Sequence, residues 1–119
     1  MKKKIAAIAL AALLLTTAVS CTILKRPIDN RSQFSRQLKE VEENINNGNW
    51  RSSAAAQNTA EKTWEGIKPL LQLDIDHDYV NDIEGSFRKL KAYIKARDKS
   101  NALAEIMLIQ DLWSKIGEM

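Results

Sequence analysis

With one cysteine the chain can close no internal disulfide, and with one histidine it holds no metalloprotease helix, which needs two. Four glycines are scattered, none in a phosphate-cradling loop. Aromatic residues make up only 6% of the 119 residues, and three of them are tryptophan. Stability therefore has to come from apolar burial, with Trp50, Trp64 and Trp113 supplying a large share of one small core. Basic excess is also missing where it would matter. Three of the eighteen Lys and Arg residues, Lys2, Lys3 and Lys4, lie in the first twenty positions, so fifteen bases face fifteen acids in the remainder. A nucleic-acid binder keeps a basic excess on its working face, so nucleic acid is not an expected partner. No nucleophile motif and no carboxylate pair distinct from helix capping is present, and no enzyme activity is expected.

What is present begins with an address. MKKK is followed by an uncharged, largely apolar run from Ile5 to Val19 and then by Ser20 and Cys21. By length and flanks residues 1–20 read as a signal peptide, somewhat short for a stable membrane span. Ala18-Val19-Ser20-Cys21 resembles a lipobox, with Ala where Leu is most usual, and Cys21 is the candidate lipidation site. An ordinary small-x-small cleavage site or an uncleaved N-terminal anchor are the alternatives. Each places the domain on the extracytoplasmic face of the cell membrane, and a lipid anchor needs two acyl chains to hold firmly.

Residues 21–31 read as a tether and 32–119 as one all-α domain, with helices expected at about 32–47, 50–68, 77–97 and 100–117. Phe34, Leu38, Val41 and Ile45 repeat at helical spacing after the cap candidates Asp29 to Ser32. Gly48 supplies a left-handed end to the first helix, and Asn49 is placed to cap the second. Gly66 and Pro69 predict an end or a kink at residue 68, because proline removes a donor and clashes with the preceding turn. In the third helix Val80, Ile83, Phe87, Leu90 and Ile94 form one apolar face, with acids at its start and bases at its end, as the helix dipole favours.

Shifted by 49 residues, Phe34 falls on Ile83, Leu38 on Phe87, Val41 on Leu90, Ile45 on Ile94, Trp64 on Trp113 and Ile67 on Ile116. Two helical hairpins of equal length and phase follow, forming an antiparallel four-helix bundle. The turn at Gly48 to Trp50 also resembles the hairpins of tetratricopeptide-like solenoids, whose repeat is shorter, so TPR-like packing is the other arrangement.

GNW at 48–50, Trp64, IDH at 75–77, Ile83 and LKAYIKARDKSNALAEI at 90–106 together resemble a small bacterial, membrane-anchored family catalogued as a domain of unknown function, number 4363. The resemblance spans about residues 38–113. It implies a helical domain beside a membrane, mostly in Gram-positive bacteria, and it transfers no catalytic residue.

Two candidate sites remain. The fourth helix is apolar over more than half its circumference, which suits either a core fully wrapped by the module or a face shared with a partner protein or a second copy. Leu108, Leu112 and Ile116 are the candidate partner-binding residues. Asp74, Asp76, His77, Asp78 and Asp82 form the other candidate, a loose metal-ion site with calcium the only cofactor considered; an EF-hand is ruled out by Tyr79 and Gly85 where Gly and Glu are required. Helix capping explains the same acids. The expected role is an interaction or structural module of the cell envelope, with a ligand- or metal-binding protein as the alternative.

Overall fold

The computed structural model describes residues 3–6, 28–72, 75 and 77–116. Cys21, Asp74 and Asp76 lie outside them. Four long helices follow one another: α1 Phe34–Asn46, α2 Trp50–Leu71, α3 His77–Lys95 and α4 Lys99–Ile116. No strand occurs among the described residues.

Each helix exists because its apolar stripe has a neighbour. α1 buries Phe34, Leu38, Val41 and Ile45, and α3 buries Val80, Ile83, Phe87, Leu90 and Ile94, the stripes read from the sequence. α1 packs on α2, α2 on α3, α3 on α4, and α4 back on α1. That last seam closes a ring. A stack of TPR-like hairpins leaves its first and last helices apart, so of the two expected arrangements the chain adopts the antiparallel four-helix bundle.

One aromatic side chain from each helix meets at the centre. Phe34 stands edge-on to Trp113 at 4.9 Å between ring centroids and lies 5.9 Å from Trp64 and 6.4 Å from Phe87. Edge-to-face pairs at such separations add to the stabilisation from burial alone. Trp50, by contrast, is only half-buried, at the turn end of the bundle.

The 49-residue repeat is structural. Ser53 and Ala102, Gln57 and Ile106, Ala60 and Ile109, and the six sequence-matched pairs are all buried. The two hairpin turns share the same hydrogen bonds: Gly48 N–H to Ile45 O and Asn49 N–H to Asn44 O in one, Arg97 N–H to Ile94 O and Asp98 N–H to Tyr93 O in the other. Both are Schellman ends, and both put a left-handed residue at the same place, Gly48 at φ 70° and Arg97 at φ 55°.

Four local expectations are corrected. Residues 28–32 are helical rather than tether: Ile28 packs on the core, and the Asp29 carboxylate accepts from Ser35 N–H at 2.9 Å and from its hydroxyl at 2.7 Å, capping α1 from outside. α2 does not stop at residue 68 but carries Pro69 and runs to Leu71. Ile67 and Leu71 are both buried one turn apart, and Lys68 pairs with Glu84 of α3, which together hold the last turn against the missing proline donor. Asn49 makes no side-chain cap bond, whereas its counterpart Asp98 accepts from Asn101 N–H at 3.3 Å. α3 ends at Lys95, two residues early, because the Schellman turn claims Ala96 and Arg97.

Candidate functional site

Of the three candidate partner-binding residues on α4, the bundle leaves one outside. Leu108 is 43% exposed, but Leu112 is 8% exposed and Ile116 is fully buried. α4 has neighbours on two sides, α3 and α1, so a wide apolar face is consumed within the module. Met107 is exposed beside Leu108. That pair is a small patch rather than a helix-long docking face.

The acidic segment is divided. His77, Asp78 and Asp82 lie exposed on the first two turns of α3, and Asp74 and Asp76 fall outside the described residues. Among the described residues no group of three or more His, Cys, Asp or Glu side chains converges as metal ligands.

The structure adds a site that sequence reading missed, an open groove of about 610 Å³ on the α2–α3 seam. Its volume is in the range of small-ligand and peptide-anchor pockets. Ala54 and Ala55 form the floor on α2, and Ile94 forms it on α3. Small side chains there keep the two helices from filling the space between them, and this seam is the loosest of the four. Gln57, buried among the core residues, donates its side-chain N–H to the Phe87 carbonyl at 3.0 Å and ties the helices together beneath the groove.

The rim is charged. Arg51 rises from the first turn of α2, Lys91 and Lys95 from one face of α3, and Arg97 from the turn beyond; Glu61 is the single acid. Among the described residues none of these five side chains takes part in an ion pair. The half-buried indole of Trp50 closes the turn end. An apolar floor with unneutralised cations above it can hold an anion that has an apolar body, and it offers nothing to activate a nucleophile. A signal for the groove did exist in the sequence. In the 49-residue repeat Ala54 falls on Leu103, a small residue on a large one at one position of the groove floor.

Among the described residues no helix is long and apolar enough to cross a membrane. A family model described as a domain of unknown function, DUF4363, matches residues 24–119. No curated protein and no solved structure matches the chain.

Proposed function

Because the chain belongs to the DUF4363 family, a domain of unknown function, we propose its role from its own residues: an extracytoplasmic helical domain, held at the cell membrane as a lipoprotein through Cys21, that works as a protein-interaction module of the envelope. The observation that carries the reading is the α2–α3 groove, an open, unneutralised binding surface on a bundle whose apolar stripes are otherwise turned inward. The address rests on the basic start, the uncharged run from Ile5 to Val19 and the lone cysteine that follows small residues. Two acyl chains on Cys21 give an attachment that a single chain does not.

Two measurements test the two halves. Radiolabelled palmitate enters the wild-type chain and not Cys21→Ser; equal labelling of both removes the lipoprotein. A photoreactive amino acid placed in turn at exposed positions of all four helices forms adducts with a defined protein in intact cells; adducts at no position remove the interaction module and leave a structural role.

A further inference from the structure

The seam opposite the groove is its internal control. Under the 49-residue repeat the α2–α3 seam corresponds to the α4–α1 seam, and there the space is filled. Leu103 stands at the place of Ala54 and packs against the core. Gln110 and Glu42, at the places of Glu61 and Lys91, are joined by a hydrogen bond at 3.2 Å. The charges diverge at the same points. Arg51, Lys91, Lys95 and Arg97 have Ser100, Glu42, Asn46 and Gly48 as counterparts. Four cations on one seam thus face a single one on the other, Lys99 at the place of Trp50. Neither the bundle nor the turn requires them, since the second copy of each is built without them.

We propose that the α2–α3 groove binds an acidic, extended segment of a partner protein, an inference that rests on the interaction-module reading and gives it a site and a ligand class. Charge selects an anion. Placement selects protein over membrane. The groove sits at the end where Gly48 and Arg97 turn the chain, whereas the N-terminal segment packs at the other end, with Ile28 beside Ile67 and Leu70 and Phe34 about 20 Å along α1 from the turn. A bundle anchored through its N-terminus presents the groove away from the surface that holds it.

Spacing selects the form of the segment. Lys91 and Lys95 lie one turn apart on α3, a rise of about 6 Å. Acidic side chains two apart on an extended chain repeat at about 6.6 Å and point the same way, while the residue between them points to the other side. An acidic–apolar–acidic triplet therefore sets two carboxylates on the lysines and turns its apolar side chain to Ala54, Ala55 and Ile94. Arg51 and Arg97 continue the positive rim toward Trp50.

The test uses the full chain in neutral phosphatidylcholine nanodiscs and two fluorescent peptide probes, GDELELEDG and its neutral analogue GSNLNLNSG. The acidic probe binds at least tenfold more tightly than the neutral one, weakens as salt is raised and shifts the tryptophan fluorescence of the chain, a shift absent from Trp50→Phe. Lys91→Glu with Lys95→Glu, and separately Ala54→Leu, each lower its affinity at least tenfold while thermal melts stay cooperative. Ala54→Leu installs the side chain that the other hairpin already packs at the matching place, so it occupies the apolar floor on which the middle residue of the triplet would sit, in a bundle that still folds. Equal binding of the two probes, or unchanged binding by Ala54→Leu, overturns the proposal. So does Lys91-dependent binding to phosphatidylglycerol vesicles without binding of the acidic probe. In cells, photoadducts at Leu108 with none at Ala55 overturn the groove assignment and leave the interaction module standing, whereas adducts at no exposed position of any helix overturn both.

Discussion

Trp113 donates its indole N–H to Ser35 Oγ at 3.0 Å, and Ser35 donates onward to Asp29, so the last turn of α4 is pinned to the first turn of α1. Trp64 occupies the matching place in the other hairpin, its ring perpendicular to that of Trp113 at 6.5 Å, yet its buried Nε1 has no partner among the described residues. The residue that corresponds to Ser35 is Glu84, and its carboxylate is engaged by Lys68 instead. Two equivalent tryptophans thus differ by one hydrogen bond.

That difference is measurable. Trp64→Ala and Trp113→Ala each cost about 3 to 5 kcal/mol, because both rings are buried and their removal leaves cavities. Trp64→Phe and Trp113→Phe separate them: the second costs about 1 kcal/mol more, since it alone breaks a satisfied hydrogen bond. Urea melts of the four variants decide it, and equal losses for the two phenylalanine variants would show that the Ser35 bond adds nothing.

Arg97 holds a left-handed backbone that Gly48 holds at no steric cost. Arg97→Gly raises stability by up to about 1 kcal/mol, and Gly48→Ala lowers it by a similar amount. Nothing lies within 4 Å of a Cβ built at Gly48, so the loss in Gly48→Ala is conformational and no repacking relieves it. The pair of melting temperatures should move in opposite directions.

Asp98 caps α4 and Asn49 does not cap α2. Asp98→Ala is therefore expected to cost about 1 kcal/mol, and Asn49→Ala a few tenths. Loss of stability on Asn49→Ala as large as on Asp98→Ala would place a cap bond at Asn49 in solution.

On α4 the burial pattern sorts three leucine-like positions. Leu112→Asp and Ile116→Asp put a charge into the core and abolish the cooperative melt, whereas Leu108→Asp leaves it within about 0.5 kcal/mol of wild type. Far-ultraviolet circular dichroism against temperature reads all three.

How far the sequence discloses this molecule depends on whether a feature is periodic. The stripes of α1 and α3 and the turn at Gly48 were legible because each is a local pattern that names its own geometry. Whether Leu112 and Ile116 face the core or a partner was not legible, and the structure buries both. A stripe's width reveals how much apolar surface a helix has, not how many neighbours share it, and the ring gives α4 two. The end of α2 was placed too early, at residue 68, because the burial of Leu71 and the Lys68–Glu84 pair are tertiary facts that outweigh a local rule. The groove escaped because it is made by residues too small or too exposed to stand out singly; it becomes visible only when one half of the chain is laid on the other.

The closure of α1 between α2 and α4 also decides how the domain carries load. A pull on the chain ahead of Ile28 must first lift Ile28 from the core and break the Asp29–Ser35 bonds, and only then loads α1 against two seams at once, one on each flank. Buried Phe34, Leu38, Val41 and Ile45 must slide together or not at all. The first helix of the ring is thereby the keystone of the bundle, the element least free to yield when the chain ahead of it is pulled.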